Sequence, residues 1–255
     1  MMDPKRAELK VKSILISQPE PADGRSPYYD LRDKYKVTIH FRPFTRVDGV
    51  SAKDFRKDKV NILDYSAIIL TSRNAIEHLF RMCTEMRIEL PADMKYFCAS
   101  EAIALYLQKF ITYRKRKVFY PKVREQEFFD ILMKHKAENY LFPRSDISHN
   151  ELLEFLKENK LKGNEAILYK TVSNDLTDLA DVNYDIIAFF NPSAIVSLFE
   201  NFPDFKQNNT RIAAFGANTC QAVTEAGLTV DIEAPTPQAP SMKMALEEYI
   251  KKVNK

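Results

Sequence analysis

Two stretches of the chain place small polar residues between a β-rich apolar run and an amphipathic segment: Leu70-Thr71-Ser72-Arg73-Asn74-Ala75-Ile76 and Phe189-Phe190-Asn191-Pro192-Ser193-Ala194-Ile195. Serine, threonine or asparagine at such a junction accepts a hydrogen bond from the first turn of a helix, and proline fits that turn because its missing N–H has no helical partner to lose. The other N–H groups of the turn carry partial positive charge and suit a carboxylate or a phosphate. Ser72 or Asn74 in the first stretch, and Asn191 in the second, are therefore candidate caps of anion-binding turns. In an open α/β sheet such strand-to-helix turns lie at the edge where ligands bind.

Other chemistries lack their parts. The histidines, His40, His78, His135 and His149, show no metal-ligand spacing. Neither a dinucleotide fingerprint nor a phosphate loop is present, the chain holds only 5 glycines, and there is no G-x-S-x-G elbow. With 38 basic against 35 acidic residues, the net charge of +3 is too small for binding along a nucleic-acid backbone. The basic run Tyr113-Arg114-Lys115-Arg116-Lys117 reads as a solvated approach to the next strand. Cys83, Cys98 and Cys220 have no paired spacing, which predicts reduced thiols and not a disulfide framework. An enzyme made from this set works by holding its substrate in shape.

The elements that must position these turns come from periodicity. Strands are expected over 11–17, 37–41, 66–72, 95–99, 117–121, 139–143, 166–172, 184–190, 211–216 and 229–234. Between most of them lie helical patterns such as EFFDILMKHKA, ELLEFLKENKL and ALEEYIKKV, and Ser148 with Glu151 fits a capping box. That alternation predicts an α/β protein with parallel sheets flanked by helices. The pattern also repeats. Ser72 and Ser193, 121 positions apart, each stand shortly before an Ala-Ile pair, and the strand-turn-helix units around Ala99 and Gly216 follow at an offset of 117. Two similar α/β domains account for this, and 255 residues with 45% apolar content can build both cores.

The ordered series Leu141-Phe142-Pro143-Arg144-Ser145-Asp146, then ELLEFLKENKLKGNEAILYKTV, IIAFFNPSAIVSLF and AAFGANTCQAVTEAGLTVDIEAPTPQA resembles the uroporphyrinogen-III synthase family over nearly the whole chain. The resemblance implies an enzyme that closes hydroxymethylbilane, a linear tetrapyrrole with eight carboxylates, into uroporphyrinogen III with inversion of the last ring and loss of water. It implies two α/β domains, one formed by residues 1–40 and 173–255 and an inserted one by 45–166. A two-stranded connector near 41–45 and 166–172 would join them, with the ligand cleft between. By position, Tyr169 is expected to assist departure of the substrate hydroxyl. Thr71, Ser72, Asn74, Asn191, Ser193, Gly216 and Thr219 are expected to contact substrate, with Arg73 and Arg144 as further candidate carboxylate partners. No cofactor and no metal are expected.

Two departures from the family pattern stand out. Ser17-Gln18-Pro19 replaces a T-R-P-like turn, and Ala99-Ser100-Glu101-Ala102 replaces a G-x-x-T turn. The competing expectation is a non-catalytic, two-lobed sensor of tetrapyrroles or anions on the same scaffold. The charged opening MMDPKRAELKVK has no apolar signal core and no run approaches membrane-spanning length, so a cytoplasmic protein without membrane association is expected. No apolar face is left unassigned, which predicts a monomer.

Overall fold

Ala67–Leu70 and Ile186–Phe189 are buried at every position, as strands covered on both faces must be. They lie at the heart of two separate sheets. The computed structural model describes residues 9–122, 124, 126–147, 151–180 and 182–254. It divides into one unit of Met1–Arg46 with Val172–Lys255 and another of Val47–Thr171. Ser148 and His149 lie outside the described residues, so the expected capping box does too.

The chain opens in the first unit with β1 (Ser13–Ile16), α1 (Tyr29–Tyr35) and β2 (Thr38–Phe41). It then runs through β3 (Thr45–Gly49), α2 (Ala52–Phe55), β4 (Ala67–Leu70), α3 (Arg73–Met86), β5 (Lys95–Cys98) and α4 (Glu101–Leu107). β6 (Val118–Phe119), α5 (Glu127–Lys134), β7 (Asn139–Ser145), α6 (Glu151–Glu158) and β8 (Lys162–Ser173) complete this part. The first unit resumes with β9 (Ile186–Phe189), α7 (Pro192–Asn201), β10 (Arg211–Phe215), α8 (Ala217–Glu225), β11 (Val230–Ala234) and α9 (Met242–Val253). Every strand expected from the sequence is present. β3 was not expected, and β8 begins at Lys162, ahead of the expected 166.

In the first unit the order is β11-β10-β9-β1-β2, with every neighbouring pair parallel. Side-chain alternation sends Ile14 and Ile16 to one face, against Leu246 and Ile250 of α9, and Leu15 to the other, against Leu198 of α7 and Val223 of α8. The second unit has the order β3-β8-β7-β4-β5-β6. There Ile68 and Leu70 pack with Ile76 and Leu79 of α3, while Ala67 and Ile69 face Leu132 of α5 and Leu156 of α6. Each fully buried Ile or Leu contributes roughly 1.5–3 kcal/mol, so register is strongly set: a one-residue slip would turn each strand's set to the wrong face. β4-α3-β5-α4-β6 and β9-α7-β10-α8-β11 are thus the same motif built twice. Among the described residues no helix is long and apolar enough to cross a membrane.

Candidate active site

The turn after β4 forms where the apolar strand ends and the helical spacing of Ala75, Ile76, Leu79, Met82 and Cys83 begins. Ser72 stays extended, with φ −149° and ψ 161°, and its Oγ accepts the Ala75 N–H at 3.0 Å. Of the two caps the sequence left open, Ser72 is therefore the one used. Thr71 and Asn74 are exposed on either side of it. The next turn of this unit is capped in the same manner by Ser100, whose Oγ accepts the Ile103 N–H at 3.4 Å. The loss of glycine and threonine there left a cap in place.

Tyr169 comes from β8. The β7–β8 register jumps from Arg144 opposite Ile167 to Ser145 opposite Tyr169, a bulge that gives β8 one extra residue. In a regular strand Leu168 and Tyr169 would face opposite ways, yet both pack into the core cluster on the α3 side. The bulge thereby brings the Tyr169 hydroxyl within 3.1 Å of Ser72 Oγ, where either oxygen can donate. Its ring, 6% exposed, stacks on His78 at 4.9 Å and 18°. His78 Nδ1 accepts from Arg81 Nε at 3.2 Å. A guanidinium N–H is always a donor, so Nδ1 is the lone-pair nitrogen and the ring is neutral with its proton on Nε2. Burial, reinforced by the Arg81 charge and opposed by Glu77, holds the His78 pKa below its ordinary value.

In the first unit, Asn191 is extended at φ −156° and ψ 156°, and its Oδ1 accepts the Ala194 N–H at 2.9 Å, with Pro192 in the first turn. Ser193 is half-buried. Asn191 stands 119 positions after Ser72, as Ser193 does after Asn74, so the structural counterpart of Ser72 is Asn191 and that of Asn74 is Ser193. Gly216 precedes α8 with φ 86°, and a Cβ built there would meet nothing within 4 Å. The glycine is required by the backbone angle and not by crowding. Thr219 lies inside the unit at 2% exposure, its N–H donating to the Gly216 carbonyl at 3.1 Å. Ser17, at the end of β1, is buried, and its hydroxyl has no partner among the described residues.

The family model for uroporphyrinogen-III synthase HemD matches residues 33–243. This chain belongs to the uroporphyrinogen-III synthase family. A uroporphyrinogen-III synthetase from Helicobacter pylori superposes with a TM-score of 0.62 at 17% identity, covering 94% of this chain and 99% of that one. A mutant uroporphyrinogen III synthase from Thermus thermophilus superposes at 0.52 with 13% identity, covering 95% and 99%. These likenesses are of fold, and both span the two units. No curated protein sequence matches the chain.

For a uroporphyrinogen-III synthase family member the arrangement has clear chemical capacity. Two turns present helix starts, and one of them shares its cap with a tyrosine hydroxyl. Of the two arginines singled out by sequence, Arg144 is buried and committed to Glu165 at 3.0 Å, whereas Arg73 is exposed with its guanidinium over the Tyr106 ring at 5.1 Å. Burial pushes the thiols of Cys83 and Cys98 up to about 11 and about 12, so neither is a thiolate nucleophile at neutral pH. His78, Arg81 and Ser100 escaped the sequence reading. The signal for Ser100 was present, a serine opening a helical alanine pattern. His78 and Arg81 announce themselves only through contacts made by folding.

Proposed function

We propose that this chain is a cyclising hydro-lyase that converts hydroxymethylbilane to uroporphyrinogen III, as a cytoplasmic monomer. The observation that carries this reading is the Tyr169–Ser72 hydroxyl pair at 3.1 Å, in a chain of this family. The Ala75 N–H donates into Ser72 Oγ, which strengthens Ser72 as a donor in turn. With Ser72 donating to Tyr169 Oη, the tyrosine proton is free for the departing substrate hydroxyl.

As that hydroxyl leaves with the proton, electrons from the pyrrole nitrogen form an azafulvene. The substituted carbon of the last ring attacks the exposed methylene carbon, giving a spiro intermediate. One bond of the spiro centre then breaks and the ring recloses through its other neighbouring carbon, inverted. Loss of a ring proton restores the pyrrole, so the balance is one water released. Tyr169 recovers its proton from solvent.

The substrate carboxylates are assigned to the turn around Thr71, Ser72 and Asn74, the turn of Asn191 and Ser193, and the backbone at Gly216, which Thr219 secures from inside. Helix starts and hydroxyls suffice for such groups, so a net charge of +3 is no obstacle. Purified protein without added metal or cofactor is expected to give the type III isomer. Recovery of only the type I isomer, at the rate of spontaneous closure, overturns the reading.

A further inference from the structure

We infer that Arg81 and His78 are positioning residues for Tyr169, acting as one brace that sets the direction of its hydroxyl. This rests on the role given to Tyr169 above. The geometry is that of a fork filling several sockets. Arg81 Nε donates to His78 Nδ1 at 3.2 Å, Nη2 donates to the Val50 carbonyl at 2.8 Å and to the Leu168 carbonyl at 3.2 Å, and Nη1 pairs with Glu85 at 2.5 Å. Two of these contacts bear on Tyr169. Leu168 is the residue the bulge adds, immediately before Tyr169, and its carbonyl also accepts the Val50 N–H at 2.9 Å. His78 supplies the flat surface against which the Tyr169 ring lies.

Arg81 therefore fixes both the backbone that launches the tyrosine and the ring plane that receives it. A planar guanidinium can do this because its donors point outward in a rigid fork, which an ammonium group cannot copy. Glycine at position 49 completes the arrangement. A Cβ there would stand 2.7 Å from Arg81 Cζ and 2.8 Å from Nε and Nη2, so Gly49 is the gap the guanidinium occupies. Any side chain at 49 drives the fork off its sockets, because the far end of Arg81 is the part able to move.

The test uses Gly49→Ala and Arg81→Lys, each alone and combined with Tyr169→Phe, with type III formation and the His78 ring nitrogens as readouts. Each single change is expected to lower kcat by about 10-fold or more, with KM moving little, since small misplacements of a reacting group are worth up to about 10²-fold. In the Tyr169→Phe background neither is expected to lower kcat further. In nitrogen-15 spectra the native protein is expected to show His78 with its proton on Nε2 and a hydrogen-bonded Nδ1, a signature lost in both variants. A kcat loss that persists undiminished in the Tyr169→Phe background, or an unchanged His78 spectrum, overturns the inference. Native turnover in Tyr169→Phe alone overturns instead the role of Tyr169, while the spectrum still reports whether the brace exists. The thermal midpoint of each variant separates these results from simple unfolding.

Discussion

The turns after β4 and β9 share a plan and differ in what meets the cap. Ser72 and Asn191 are both extended, and both accept the N–H of the third residue on. Serine does so with the same atom that touches Tyr169. Asparagine accepts through Oδ1, and a ligand that needs a donor from this side chain must use the separate Nδ2. One motif thus serves two ends. Where acceptor and donor are a single oxygen, the helix start is coupled to the hydroxyl proposed to act in the reaction. Where they are different atoms, the turn can hold a carboxylate without influencing the chemistry.

The sharpest way to break this contrast is Tyr169→Phe, which removes one hydroxyl and keeps the ring stacked on His78. General-acid assistance is typically worth about 10²–10⁴-fold, and the lower end is expected because the substrate ionises readily. The thermal midpoint is expected to stay near native. Native turnover in a well-folded Tyr169→Phe would remove this residue from the reaction and with it the special status of the β4 turn.

Exchanging the caps comes next. Ser72→Ala and Asn191→Ala should each cost about 1 kcal/mol of stability, the usual effect of a lost N-cap. They should part company in kinetics. Ser72→Ala is expected to lower kcat about 10-fold, roughly 1.4 kcal/mol of barrier, whereas Asn191→Ala is expected to raise KM with kcat retained, the mark of lost uniform binding. Ser72→Asn sharpens the point by keeping a cap while separating the two roles. It should restore stability but not kcat, and steady-state kinetics beside thermal melts would show which property returns.

The units also differ in how they meet acid. His78 faces Arg81, Glu77 and Tyr169, and its pKa lies below the ordinary 6.5. The unfolded chain therefore binds the proton first, so this stabilisation is present above about pH 6.5 and declines as pH falls through that value towards the folded pKa. Glu247 of the first unit is held down to about 2 by its bond from Lys34, with a second from Tyr35. Its contribution is present above the unfolded carboxylate range and is lost only as pH falls from there towards 2. Melts in a pH series should show the neutral-to-mild-acid component vanish in His78→Phe and the strongly acidic one diminish in Glu247→Gln.

The last contrast compares the second turn of each motif. Gly216→Ala places a side chain at φ 86° and ψ 151°, a backbone region essentially reserved for glycine, in open space, so only backbone strain acts, on the order of 1–3 kcal/mol. Ser100→Ala removes a weaker cap, with a bond of 3.4 Å, and should cost less. Equal losses in denaturant titrations would show that the two turns are held alike after all.

Much of this architecture was legible because it is local. Apolar runs such as Ile186–Phe189 and helical patterns such as Met242–Val253 encode their own burial. β3 was missed because Thr45–Gly49 is mostly exposed and holds Arg46, Asp48 and Gly49 in five positions, with its pairing supplied by β8. The early start of β8 was hidden likewise, since Lys162, Gly163 and Asn164 have little strand character without β7 beside them. Tyr169 and Ser72 were each singled out, but their contact spans 97 positions and depends on strand order and on an added residue in β8. The offset of 121 misaligned the repeat by two residues because it matched serine with serine, whereas the fold matches cap with cap.

The bulge at Leu168 has a consequence for ancestry. A strand counts in twos, so the face on which a side chain emerges is a parity, and one additional residue reverses it for everything downstream. Any relative whose last crossing strand lacks that residue must encode its tyrosine one position nearer the preceding helix to deliver the hydroxyl to the same cap. Gaps at this point in comparisons between distant members would then mark compensated changes of parity, not erosion of the site, and the tyrosine should be matched by the face it occupies before its place in the count.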